Sequence, residues 1–298
     1  MNNKTLPLSS LYYIDNTLHY IHQGNISLLS NNNYYPQFKE KMIEFKNLIT
    51  RLVHENKSKT FIHFGDGDYF FHKQQPVGSA TPGKRALSKP YSEIDINRFI
   101  EGYKNCDYHC IEYLENGAIT KLQELYPYLI KNTIPTEFLY GLTMNKWFFR
   151  EFKGKIGLIG SGNKLNVIKE LMKCHEYKKY LGLEKFNDYI NIPERFACDD
   201  LDGTINMVKE QLEKADPETR IYLFGVGHVK SGLIHELPKF KNAIYLDIGA
   251  GIDAIAGLIE PERPYAYGWN NYRMRNYNYN NIDLLNYSYN KDNNLKIL

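Results

Sequence analysis

The chain has 298 residues, 43% hydrophobic and 24% charged, the balance of a globular protein long enough to bury a substantial core in one large α/β domain. A net charge of +3 with no dense Lys/Arg run suits a small anionic ligand and falls short of the charge excess of a nucleic-acid binder. Cys106, Cys110, Cys174 and Cys198 form no pair of pairs at zinc-finger spacing, and no apolar stretch approaches the length of a membrane span. With no signal peptide visible in the polar opening, Met1 to Asn16, the expectation is a cytoplasmic protein with free thiols.

Residues 1–35 mix Tyr and Ile with Asn-rich breaks and read as an N-terminal arm. From Pro36, apolar residues recur at three- and four-residue steps (Phe38, Met42, Phe45, Leu48, Ile49, Leu52, Val53), which predicts a helix through His54. Thr60, Phe61, Ile62 and Phe64 then have the β-branched and aromatic character of a strand. It runs into Gly65-Asp66-Gly67-Asp68, followed by the apolar Tyr69, Phe70 and Phe71. In an extended or turning segment, residues two apart project the same way, so Asp66 and Asp68 are expected to converge. Two hard oxygen donors so placed suit Mn²⁺ or Mg²⁺, with phosphate oxygens and water completing the shell.

The next loop, Gly78 to Arg85, ends in the cations Lys84 and Arg85 and has the composition to close over a diphosphate. Ser92-Glu93-Ile94-Asp95 reads as a Ser-capped helix start reaching Asn105. A strand at Tyr108–Tyr113, a helix at Gly117–Lys131, a strand at Thr136–Tyr140 and an aromatic core helix at Met144–Phe152 follow. Lys155 to Asn163 is a strand entering a Gly160-x-Gly162 turn before a helix from Leu165 to Cys174, a phosphate-binding design. Leu165 occupies the third glycine position of the dinucleotide fingerprint.

Phe186 to Ile192 reads as a strand, and Asp199, Asp200 and Asp202 complement the dipole of a helix reaching Ala215. Two further β-Gly-α units close the pattern. The strand Arg220–Phe224 leads to Gly225-Val-Gly227-His228 and a helix from Lys230 to Leu237. The strand Ala243–Asp247 leads to Gly249, Gly251 and Asp253. This alternation predicts a Rossmann-like three-layer α/β/α sandwich with a mostly parallel sheet. Its ligand would lie beyond the carboxyl ends of the strands, beside Gly225, His228, Asp247 and Asp253. Residues 261–298, with Trp269-Asn270-Asn271-Tyr272-Arg273 and a Tyr/Asn-rich run, read as a tethered tail.

Two segments carry a resemblance over about residues 36–260. The run Phe64 to Asp68 resembles the Phe-Gly-Asp-Gly-Glu signature of the GT-D type glycosyltransferases, and Tyr222 to Gly257 resembles the end of that family's pattern, where a Gly turn and helix lead to Asp-Ile-Gly and a later Asp. The chain departs from the signature in its terminal acid, Asp68, and in His63, where an Arg is common. The resemblance implies a metal-dependent enzyme that moves a sugar from a nucleotide-sugar donor, UDP-linked, to a glycan or glycoconjugate. Asp66 and Asp68 would hold the metal at the diphosphate, with Gly65 before them and Gly67 between them among the donor-binding residues. Lys84, Arg85, Gly160, Gly162, Asn163, Gly225, Gly227 and Asp247 are the other candidate donor-binding residues. Asp253 is the first candidate for the base, ahead of Glu93 and His228.

Two other functions compete. Leu246-Asp-Ile-Gly-Ala-Gly251 imitates the first glycine motif of S-adenosylmethionine-dependent methyltransferases, but there that strand opens the fold, whereas 47 residues remain after Gly251 here. A non-catalytic nucleotide- or glycan-binding module would use the acids only as structural turns.

Overall fold

Seven apolar runs become strands: β1 Lys59–Phe64, β2 Tyr108–Ile111, β3 Thr133–Pro135, β4 Ile156–Ser161, β5 Tyr189–Ile192, β6 Ile221–Phe224 and β7 Ile244–Asp247. In the computed structural model they form one sheet of order β3-β2-β1-β7-β6-β4-β5, parallel at every pairing. The structure describes residues 35–111, 118–129, 133–136, 139 and 146–257, with the strand pieces 13–14, 17–18, 272–273 and 296–297. Most of the expected arm and tail, Trp269 to Asn271 included, lies outside the described residues.

A parallel sheet needs cover on both faces, and its strands are therefore apolar throughout. All residues of β4, β6 and β7 are buried. Alternation sends Ile221 and Leu223 into one hydrophobic cluster and Tyr222 and Phe224 into the other. The first cluster takes in α1 (Tyr35–His54), α5 (Lys146–Glu151), α6 (Gly162–Leu171), α7 (His175–Leu181) and α11 (Gly251–Ile255). The second takes in α2 (Asp66–His72), α3 (Ile96–Lys104), α4 (Ala118–Leu125), α8 (Leu201–Leu212), α9 (Lys230–Leu233) and α10 (Leu237–Phe240). One parallel sheet with helices packed against it is thus in place, as the α/β reading requires.

The chain lays β1, β2 and β3 outward to one edge, crosses to β4 and β5 at the other, and returns through β6 and β7, which seats β7 beside β1. The helices leaving β4 and β7 pack in the first cluster, through Leu165 and Ile252, while those leaving β1 and β6 pack in the second, through Phe71 and Val229. Neighbouring strands therefore send their chains to opposite faces, which opens a crevice at the carboxyl edge of the sheet.

Several local expectations shift. Helix α3 is capped by Asp95, whose side chain accepts from Asn97 N at 3.2 Å, while Ser92 and Glu93 belong to the 3₁₀ turn Tyr91–Glu93. The third strand lies at Thr133–Pro135, pairing with His109–Ile111, rather than at Thr136–Tyr140. Pro135 is tolerated there because β3 is an edge strand. Asp200 caps α8, accepting from Gly203 N at 2.8 Å, and Asp202 lies in its first turn, as the dipole reading expects, whereas Asp199 accepts from Ser88 N at 3.0 Å instead. All four cysteines are free, and among the described residues no helix is long and apolar enough to cross a membrane.

Candidate active site

The Gly-Asp-Gly-Asp segment is helical, and this changes what its acids do. Gly65 caps α2, which puts Asp66 and Asp68 in the first turn. Residues two apart on a helix project about 200° apart, not together. Asp66 is exposed and accepts from Gly67 N at 2.7 Å. Asp68 is buried, accepts from Gly65 N at 2.9 Å, and meets the Lys230 ammonium at 2.9 Å. The expected convergence of the two carboxylates is thus corrected: the helix turns one outward and one into the protein.

Lys230, itself buried, also meets Asp247 at 2.9 Å and donates to His63 O at 2.6 Å. Asp247, with no exposed surface, accepts from His63 N and Gly249 N, both at 3.0 Å. The β1–β7 ladder ends at Phe61 paired with Leu246. Beyond that point the Asp247 carboxylate and the Lys230 ammonium satisfy the backbone of His63, so side chains hold the two strands where they part. Burial works to raise the Asp68 pKa, but the Lys230 charge and the nearby His228 outweigh it and hold the carboxyl well below the usual range. Burial likewise works to lower Lys230, and the Asp247 and Asp68 carboxylates hold it charged.

His228 comes from the turn after β6. Its ring stacks on Phe71 with centroids 5.0 Å apart, its Nε2 lies 2.9 Å from Ser79 Oγ, and its Nδ1 lies 3.6 Å from Asp68 Oδ1. Gly67 leaves room for that ring, since a Cβ at 67 would stand 2.9 Å from His228 Cε1. Gly225 is constrained by backbone: a Cβ there would stand 2.1 Å from Gly249 O. Below this layer, Ser231 Oγ donates to His228 O at 2.9 Å and so receives His72 Nε2–H, at 3.2 Å. His72 Nδ1 then accepts from Tyr126 Oη at 2.8 Å, and burial lowers the His72 pKa to about 4.

In front of these groups opens a cleft of about 230 Å³. Its polar wall carries Arg85, Ser161, Lys164, Glu194 and Asp253. Lys164 and Asp253 are both buried and ion-paired to each other; burial lowers the Lys164 pKa and the Asp253 charge opposes that. Arg85 is placed by a backbone brace, its carbonyl accepting from Phe196 N at 2.8 Å. Phe196 adopts a φ of 60°, a left-handed conformation that costs a non-glycine residue energy, as backbone at functional sites commonly does.

Of the residues expected from sequence, Arg85, Gly225, Gly227, His228, Asp247 and Asp253 line this cleft. Asn163 reaches it through a hydrogen bond to Glu194. Gly162 opens α6 behind Ser161, and Gly160 faces Ile252 and Leu165 of the first hydrophobic cluster. Gly65 and Gly67 shape the floor around Asp68 and His228. Asp66, Lys84 and Glu93 are exposed and outside the lining. Lys164 and Lys230 escaped the sequence reading, although each lies just past a glycine turn where a helix begins.

A cation clamped between Asp66 and Asp68 does not fit this arrangement. Asp68 is already bonded to an ammonium, and Asp66 points away from it. Among the described residues no group of three or more His, Cys, Asp or Glu side chains is arranged to hold a metal ion. No family model matches the chain, and no curated protein or solved structure matches it.

Proposed function

We propose that the protein is a glycosyltransferase that moves a sugar from a nucleotide-sugar donor, UDP-linked as the resemblance implies, to a hydroxyl of a glycan or glycoconjugate. The observation that carries this reading is the position of Lys230. One buried ammonium joins the two segments that resemble GT-D enzymes, at Asp68 and at Asp247, on the floor of a cleft at the carboxyl edge of a parallel sheet.

Transfer breaks the bond between the sugar's anomeric carbon and the diphosphate and forms one to the acceptor oxygen. The diphosphate leaves with added negative charge, and Lys164 and Arg85 on the cleft wall are the cations that meet it. The acceptor proton goes to His228 Nε2, with the Asp68 carboxylate behind Nδ1 to stabilise the imidazolium. Asp253 suits the role of base less well, because its carboxylate is engaged by Lys164. The methyltransferase alternative has less support, since the strand carrying its motif comes last in chain order among the described strands of the sheet rather than first.

The test is titration of the protein with UDP and a panel of UDP- and GDP-sugars, with and without Mn²⁺, followed by assay of donor consumption with glycan acceptors. Nucleotide binding that weakens in Lys164→Ala, together with turnover, supports the transferase. Binding without turnover favours the module, and heat with S-adenosylmethionine alone favours the methyltransferase.

A further inference from the structure

The unit β4–α6–β5 carries a feature that the diphosphate chemistry does not use. Ser161 pairs with Ile192 in the parallel register, so Glu194, two residues past the end of β5, comes abreast of the glycine turn that opens α6. Asn163 on that turn donates its side-chain amide to Glu194 and keeps the carboxylate at the cleft wall. Beside it, Ser161 is only 4% exposed, lines the cleft, and its hydroxyl has no hydrogen-bond partner among the described residues. A buried hydroxyl left so is costly, and a ligand that bonds it removes the cost. The remaining wall here is apolar, formed by Ala86, Ile192, Pro193 and Ala197, while Lys164 and Arg85 lie on the polar side.

We infer that this corner is a ribose seat, in which the Glu194 carboxylate accepts hydrogen bonds from the 2′- and 3′-hydroxyls of a ribonucleoside diphosphate and Ser161 bonds the same nucleotide. A carboxylate at the end of the second strand of a parallel βαβ unit, facing a glycine turn, is the arrangement by which such units recognise a ribose. The base then lies against the apolar wall and the diphosphate toward Lys164 and Arg85. This rests on the nucleotide-sugar reading and adds to it the group that distinguishes ribose from deoxyribose.

The experiment is calorimetric titration of the full chain and of Glu194→Gln with UDP, GDP and ADP, each against its 2′,3′-dideoxy form, and with inorganic pyrophosphate as the probe of the diphosphate seat. The wild type is expected to prefer the ribonucleotide by about 10- to 100-fold, the weight of hydrogen bonds to a charged acceptor. Glu194→Gln is expected to bring the two forms near parity and to bind pyrophosphate as the wild type does, which also reports that it folds. Equal binding of ribo and dideoxy forms by the wild type, or a preference that survives in Glu194→Gln, overturns the ribose seat alone. Absence of binding by pyrophosphate and by every nucleotide overturns the transferase reading with it.

Discussion

The Lys230 ammonium lies 2.9 Å from the Asp68 carboxylate, with both side chains less than a tenth exposed. Removing one partner of a buried pair leaves the other charge without compensation, which costs about 3–5 kcal/mol. Asp68→Ala is therefore expected to lose stability on that scale in urea denaturation. Asp66→Ala, two residues away and exposed, is expected to leave the denaturation midpoint unchanged. A comparable loss in both variants would mean that the two acids act as a pair after all.

The pH dependence of stability separates His72 from Asp68. The folded His72 pKa is lowered to about 4 by burial, below its unfolded value of about 6.5. The unfolded chain then binds a proton that the folded chain refuses, so stability is full above about pH 6.5 and falls as the pH drops from there toward about 4. The size is about 3 kcal/mol, and it should be absent in His72→Gln. Asp68, whose folded pKa is depressed, contributes stability that is present above its unfolded value of about 4 and is lost only below it. Urea midpoints measured from pH 7 to pH 3.5 on wild type and His72→Gln read the first window.

Gly67 is explained by what lies over it. A methyl there would stand 2.9 Å from His228 Cε1, whereas the nearest atom to a Cβ at Gly65 is His63 Cε1 at 3.4 Å. Gly67→Ala is expected to push the imidazole off Phe71 and cut kcat by about 100-fold or more, the scale of a misplaced general base, with little change in donor affinity. Gly65→Ala is expected to keep most activity. Equal kcat values for the two variants would remove the steric account of the motif.

The strands β4, β6 and β7 and their glycine turns were legible because their buried runs are continuous and their turns end in Gly. The geometry of Gly65 to Asp68 was not. The same four residues serve an extended turn or a helix start equally well, and what decides between them is Lys230, far along the chain, reaching Asp68. Lys230 and Lys164 were missed for a related reason: a lysine in sequence reads as a solvated charge, and only tertiary structure supplies the carboxylates that allow its burial. Cys106, Cys110 and Cys198 behave as the buried thiols expected of scattered cysteines.

The identity of the base separates two substitutions at the cleft. His228 Nε2 is held by Ser79 with Asp68 behind the ring, while Asp253 is engaged by Lys164. If His228 takes the acceptor proton, His228→Gln should lower kcat by about 10²–10⁴-fold, the usual range for a general base, and leave the donor KM near its wild-type value. Asp253→Asn should act through Lys164 instead. Deprived of its counter-charge in a buried site, that lysine loses the charge that receives the diphosphate more readily. The expected result is a raised donor KM, more pronounced at higher pH, with kcat at saturating donor much less affected. The opposite split, a collapse of kcat in Asp253→Asn with turnover surviving in His228→Gln, would make Asp253 the base and leave His228 a positioning residue.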